Sequence, residues 1–493
     1  MKKFLVALCV CFLSGFFVGC QRKEEVNLKS LSKDKNNYQI SVDYDVKNKQ
    51  ADVLQTVKYV NSTGTILKNV QFHLYPQYFK QGATQNVVSD IKLANAYSNG
   101  MSYAKFEIER VLVNGEDVNI VYEGEFDQTL NVELGFNLMP NNSVEILIEY
   151  FFELPNCNHR FGYGENTINL CNFYPIASVW ENGKFVETAY NSNGDPFYSD
   201  MSNYCVDIAV NNEYLVAGSG SIKYEKQVDN KKNVKFEAEM VRDFALVLSN
   251  KFQVKEKRCG DTKILYYYFN DSKSDESLQA SFDAIKTFSN LFGEYPYKTF
   301  SVVQADFVHG GMEYPALVMI SGEIDNSDDY KNVIVHETAH QWWYGIVGND
   351  EFDLPWIDEA LTEYSTVLFY DYNKDYNFNH KEMINSAKEN FSIFISVYED
   401  VLGKIDTSMR ACDEYNTEPE YTYCVYVKGV LMFDSLCQIV GNENFVKSLK
   451  YYFDENKFKN VQAEDLIQAF ETTCNGKFEN FFGSWIKGKV VIR

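Results

Sequence analysis

Apolar and polar residues alternate along the first half of the chain. Ile40, Val42, Tyr44 and Val46 each stand two positions apart. So do Tyr204, Val206, Ile208 and Val210, and again Val234, Phe236, Ala238 and Met240. A period of two puts every second side chain on one face of a strand. Asn61-Ser62-Thr63-Gly64 and Asn141-Asn142-Ser143 supply turn residues between such runs. The pattern predicts an N-terminal antiparallel all-β domain over residues 38–255. The period then changes. Leu278, Phe282, Ile285, Phe288 and Phe292 recur at helical spacing. Residues 298–305 read as a strand, and 332–344, 356–370, 423–440 and 463–474 read as helices, with Gly441 as a stop signal. A mainly helical α+β domain is therefore expected over residues 256–493.

The first residues follow neither pattern. Lys2 and Lys3 precede an apolar run from Phe4 to Gly19, and Cys20 follows. The run is shorter than the roughly 20 residues of a bilayer span. A charged start, an apolar middle and small residues at the end read as a signal peptide. Phe17-Val18-Gly19-Cys20 resembles a bacterial lipoprotein signal, in which cleavage precedes the cysteine and its thiol takes the lipid. A plain secretory signal or an uncleaved anchor is the other reading. The expectation is a signal over residues 1–20, lipidation at Cys20 and a polar tether over 21–37. The protein would be exported and lipid-anchored at the extracytoplasmic face of a bacterial cell membrane.

Composition narrows the function. The 493 residues are 45% hydrophobic and 23% charged, as in globular proteins. A net charge of −23 repels phosphates and argues against nucleic acid as a partner. Of the 11 cysteines, Cys157/Cys171 and Cys412/Cys424 are spaced closely enough to close loops, and buried thiols fit equally well.

Histidines number only six, yet two fall in a chemical pattern. His336-Glu337-Thr338-Ala339-His340 is H-E-x-x-H inside an apolar helical run. Imidazoles at i and i+4 project from one helix face and can share one metal ion. Glu337 is placed to take a proton from an attacking water. Catalytic zinc needs a third protein ligand. After 18 intervening residues comes Glu359, on a second predicted helix. Glu363, one turn on, could accept a proton from a ligand histidine or could be an exposed helix carboxylate. Asp358 stays open in the same way.

These residues resemble the aminopeptidase N family of gluzincin zinc metallopeptidases, which includes leukotriene hydrolase. Gly310-Gly311-Met312-Glu313-Tyr314-Pro315 lies where that family has Gly-x-Met-Glu-Asn, with Tyr314 in place of the Asn. Val425-Tyr426-Val427-Lys428-Gly429 resembles its Val-Tyr-Glu-Lys-Gly. Val241-Arg242-Asp243-Phe244-Ala245-Leu246-Val247-Leu248 is similar to its last β-domain strand. Weaker likeness runs from Phe72-His73-Leu74-Tyr75-Pro76 through Gly194-Asp195-Pro196-Phe197-Tyr198 to Trp485-Ile486-Lys487-Gly488.

The resemblance implies a saddle-like β domain before a thermolysin-like catalytic domain. It implies one Zn²⁺ per chain on His336, His340 and Glu359, with Glu337 as general base. It implies a Tyr426 hydroxyl that steadies the oxyanion, and a Glu313 that binds the free α-amino group of a peptide. Gly310, Gly311 and Met312 would line the substrate strand. A further amino-group anchor is expected from the β domain, between residues 169 and 174. The chain after Gly429 is enough to finish the catalytic domain, so the family's C-terminal lid domains are expected to be absent and the cleft open. The resulting expectation is an aminopeptidase acting on peptides with a free N-terminus. A zinc endopeptidase and an adhesion module with a vestigial site are the alternatives. Glu313 argues against the first, and the intact motif against the second.

Overall fold

The computed structural model describes residues 26–83, 87–490 and 492. The signal peptide read over residues 1–20 and the Cys20 lipidation site lie outside the described residues. So does the start of the stretch read as a tether. From Val26 onward that stretch is folded onto the β domain. Leu28–Leu31 form a helical turn capped by the Asn27 side chain, which accepts from the Ser30 N–H. Val26 and Leu28 pack against the core.

The alternating runs form the large sheet. Its eight strands run in the order Ser221–Val228, Lys231–Val241, Ser202–Asn211, Asn36–Asp45, Gln50–Val60, Ser143–Glu153, Lys105–Val113 and Glu116–Asp117. Ile40, Val42, Tyr44, Val206, Ile208, Val210, Val234 and Phe236 all face inward and are buried. One pairing departs from the antiparallel expectation. Asn36–Asp45 lies parallel to Ser202–Asn211, Ile40 opposite Val206. These strands are far apart in sequence, so no hairpin constrains their direction. Two four-stranded sheets, one containing Ala245–Ser249 and the other Leu67–His73, and the two-stranded pair Trp180–Glu181 with Lys184–Phe185 complete this half.

The chain passes to a new sheet between Ser249 and Gln253. Gln253–Cys259, Thr262–Tyr268, Thr299–Ala305, Leu317–Ser321 and Gly311–Met312 lie in that order, with the last at the edge. Helix Ser274–Leu291 carries the helical apolar pattern and buries Leu278, Ile285 and Phe288. Helix Pro355–Tyr372 is buried along almost its whole length. Helix Lys428–Val440 packs against it, Asn442–Asn456 packs on Lys428–Val440, and Ala463–Cys474 packs on Asn442–Asn456. A helix that no periodicity announced, His380–Leu402, is capped by Asn379 and ends at Gly403. All eight cysteines among the described residues are free thiols, so neither candidate loop closure is present.

Arg242 joins the halves. It is 2% exposed, and its guanidinium donates to the carbonyls of Ser199 at 2.9 Å, Tyr344 at 2.8 Å and Lys459 at 2.5 Å, and to Asn460 Oδ1. A methyl group on Gly348 would lie 2.0 Å from its Cζ. Only glycine leaves room there.

His380 ties three helices together. Its Nδ1 donates to Asp371 at 2.7 Å and its Nε2 to Asp434 at 2.9 Å. The two carboxylate hydrogen bonds raise its pKa from 6.5 to about 9. A raised folded-state pKa gives stability that is full below the unfolded value and is lost as pH rises through about 9. His380→Gln should lower stability by about 1–2 kcal/mol near pH 6, after allowance for solvent screening. Urea unfolding should show the two proteins converging near pH 10. A gap that does not change with pH would contradict the charged bridge.

Candidate active site

The motif helix is Ser327–Ala339, five residues earlier at its start than the apolar pattern indicates. The reason is local. Asn326 accepts from the N–H groups of Asp328 and Asp329, whose carboxylates also favour the positive helix end. His336 and Glu337 occupy the last turn and His340 is the cap residue. The chain then leaves the helix. His340 Nδ1 lies 3.1 Å from the carbonyl of Trp343. A carbonyl only accepts, so Nδ1 carries the proton and Nε2 keeps its lone pair.

The Nε2 atoms of His336 and His340 are 3.2 Å apart. Glu359 Oε2 lies 3.2 Å from the Nε2 of His340 and 3.4 Å from that of His336. The three donors fall within 4.8 Å of one another. Two imidazoles and one carboxylate converging from two helices fit a zinc ion. Glu363 Oε1 is 3.6 Å from His336 Nδ1, an ion-pair distance too long for a hydrogen bond. Asp358 is buried and accepts from Asn349 Nδ2 at 2.9 Å.

Gly311 and Met312 form the edge strand, paired with Met319 and Ile320 on one side. A methyl group on Gly311 would sit 2.3 Å from Glu337 Oε1, so the carboxylate lies directly over the strand. Gly310 has no such neighbour. The Met312 side chain turns away from the cavity and is fully buried, with its sulfur accepting from Arg160 at 3.1 Å. Tyr314 also turns inward, and its hydroxyl donates to Asn172 at 2.7 Å. Glu313 stays at the cavity wall with Oε1 unpartnered.

Tyr426 sits in a π-helical turn, Tyr423–Val427, that leads into helix Lys428–Val440. Its hydroxyl donates to Glu359 Oε1 and its ring stacks on His336. Gly429 explains the closeness. A methyl group there would lie 2.3 Å from Ala360 Cβ, so the two helices touch next to Glu359. Lys428 is buried and donates to the carbonyls of Thr407 at 2.5 Å and Trp485 at 2.6 Å, which anchors the same turn.

These groups line one cavity of about 270 Å³ between the two halves. The β half contributes a residue that the sequence pattern did not mark as functional, Asp195. Its carboxylate lies within 4.8 Å of those of Glu313 and Glu359 and pairs with Arg160 at 2.5 Å. Its one signal was the Gly194-Asp195-Pro196 likeness. Segment 169–174 lies behind the cavity instead. Asn172 and Tyr174 bond to Asp243, and Asn169 bonds to the carbonyls of His159 and Asp306. His309 and His159, which belong to no motif, also line the cavity, with Nε2 atoms 3.2 Å apart and Lys92 on His309 Nδ1 at 2.9 Å.

The charges are crowded. Burial raises Glu313 from 4.5 to about 8, and Asp195 and Glu359 add to it while His340 opposes. Burial and then Glu313 push Glu337 well up. Burial also acts on Glu359, but the imidazoles of His340 and His336 outweigh it and hold this carboxyl well below its usual range. Burial and Glu359 push the Tyr426 hydroxyl well up, so it stays a donor.

The peptidase family M1 domain matches residues 276–485. Aminopeptidase B of Rattus norvegicus is 29% identical over 201 residues, 38% of this chain. Aminopeptidase N of Lactobacillus helveticus is 24% identical over 252 residues, 48% of this chain. The matched stretch spans 29% of the length of either relative. An M1 zinc metallopeptidase from Deinococcus radiodurans, solved as a point mutant with a Tyr-Ser-Ala substrate, shares the fold at a TM-score of 0.62. That match has 16% identity over 92% of this chain and 94% of the other.

The fit of Glu337 over Gly311 is directly testable. Gly311→Ala should displace the carboxylate and cut turnover about 10²-fold, the scale of an ångström-level misplacement. Zinc content by elemental analysis should stay at the wild-type level. Unchanged turnover would mean that Glu337 does not act from this position.

Proposed function

Because the chain belongs to the aminopeptidase N family of gluzincin zinc metallopeptidases, we propose that it is a zinc aminopeptidase that releases N-terminal residues from peptides. The observation that carries this reading is the clustering of Glu313 and Asp195 beside the three-donor centre. An endopeptidase has no use for buried carboxylates just beyond the metal. An exopeptidase needs them for the substrate's α-ammonium group. Asp195, from the β half, takes the place of the anchor expected from residues 169–174.

His336, His340 and Glu359 would hold one Zn²⁺ per chain. When bound, zinc polarises the scissile carbonyl and lowers the pKa of water towards neutrality. Glu337 then takes the proton of the attacking water and passes it to the leaving amine. The Tyr426 hydroxyl donates to the developing oxyanion, exchanging its bond to Glu359 for one to substrate. The edge strand at Gly311 and Met312 leaves one side free for the peptide backbone to add as a further strand. Glu313 and Asp195 set the register by fixing the N-terminus.

We place the enzyme at the extracytoplasmic face of a bacterial membrane, held by lipid on Cys20. This rests on the pattern of the first 20 residues. Cys20→Ser should release the protein from the membrane fraction, and membrane retention in that variant would contradict the lipid anchor.

Three outcomes test the chemistry. Tyr426→Phe should keep its zinc and lose about 10²–10³-fold in turnover of an aminoacyl anilide, the loss expected for one oxyanion donor. Asp195→Asn should raise KM for free peptides about tenfold or more, as for a lost charge-assisted hydrogen bond. N-acetylated peptides should not be cleaved. Cleavage of acetylated and free peptides at equal rates would overturn the exopeptidase reading.

A further inference from the structure

We propose that Glu313, Glu351 and Asp358 form a second cation site, for a hard divalent ion of the calcium type, on the buried side of the amino-group anchor. One oxygen from each of the three carboxylates lies within 4.8 Å of the other two, the spread that a single ion with ligands at about 2.3–2.6 Å can bridge. Glu351, Asp358 and Glu313 are 1%, 1% and 3% exposed, so this is not a solvated acidic patch.

The decisive feature is Glu351. Both of its carboxylate oxygens are buried with no hydrogen-bond partner, and Glu313 Oε1 beside it is in the same state. A carboxyl out of water with nothing to bond is costly whether it is ionised or neutral, because its oxygens lose their hydrogen bonds to water. The backbone directs it there. Asp350 Oδ1 accepts from the N–H groups of Phe352 and Asp353 at 3.1 Å, closing a tight turn that points Glu351 inward. Asn349 donates its amide N–H to Asp358, and its amide oxygen is also buried and unpartnered. The available donors are therefore all oxygens, the set that hard cations take, unlike the imidazole-rich set of the motif helix.

Charge balance points the same way. Asp195, Glu313, Glu337, Glu351, Asp358 and Glu359 lie together, with Arg160 paired to Asp195. Arg160 answers Asp195, and no cationic side chain pairs with Glu351 among the described residues. A divalent ion on Glu351 would supply that partner. It would also fix Glu313 from behind while leaving the cavity side of that carboxylate for substrate. The inference does not depend on the peptidase reading, because its readout is binding and not turnover.

The test is equilibrium dialysis of zinc-loaded, calcium-free enzyme against calcium chloride, with calcium and zinc counted per chain. The expected result is one saturable calcium ion per chain, together with a thermal midpoint that rises with calcium and not with sodium chloride of equal ionic strength. In Glu351→Gln the calcium should be lost and the zinc retained. If that variant does not fold, Glu351→Asp keeps the charge but withdraws the oxygens, and should bind calcium more weakly. Absence of saturable calcium in the wild type, or wild-type affinity in a folded Glu351 variant, would overturn the site.

Discussion

A single buried guanidinium sets the relation between the two halves. Arg242 leaves the last strand of the large sheet and points into the second half. There it meets Tyr344, just beyond the motif helix, and the segment around Lys459. Its cost of burial is met by direct hydrogen bonds to carbonyl and amide oxygens, with Asp200 adding attraction at longer range. Tyr344 has a φ of 109°, an unusual backbone state for a residue with a side chain. That state lies four residues past His340, in the turn where the Gly345 N–H donates to the His340 carbonyl at 2.8 Å. The turn after the second histidine and the docking of the β half therefore meet at one residue.

That constraint matters because the site is shared. The metal donors, Glu337 and Tyr426 belong to the helical half. Asp195 and Arg160 belong to the β half. The Arg160–Asp195 pair is buried and excellent in distance, the condition under which a buried pair holds geometry. Arg160 also donates to Tyr190 and to the Met312 sulfur, so the same cation touches the edge strand that would receive substrate. A shift of one half against the other would move Asp195 relative to His336, His340 and Glu359.

The sequence was most legible where chemistry repeats locally. H-E-x-x-H, the distant Glu359 and the Val-Tyr-x-Lys-Gly run name residues within or between helices whose period the apolar pattern already reveals. Strand faces were equally plain, because alternation survives from Ile40 to Met240 in the burial of the large sheet. Three things were not legible. The parallel pairing of Asn36–Asp45 with Ser202–Asn211 depends on which distant strands meet. Helix His380–Leu402 presents a mixed face, with Ile393, Val397 and Val401 exposed, which blurs its period. Asp195 comes from a loop with no periodicity, and its role exists only through contacts across the cavity.

The glycines show how a motif becomes geometry. Gly310 and Gly311 look alike in sequence, yet only Gly311 lies where a methyl group would strike Glu337. Gly429 does for Tyr426 what Gly311 does for Glu337, since it lets helix Lys428–Val440 close onto Ala360, the neighbour of Glu359. Each glycine stands beside a residue that reaches into the cluster of His336, His340 and Glu359. The motif therefore specifies two close approaches as well as a set of reactive groups. A carboxylate and a phenol from separate helices can converge on one centre only because the backbone beside each of them carries no side chain. The same economy of space explains why the site tolerates so many buried acids: the groups are held by packing, and burial favours the neutral form of Glu313, Glu337 and Glu351.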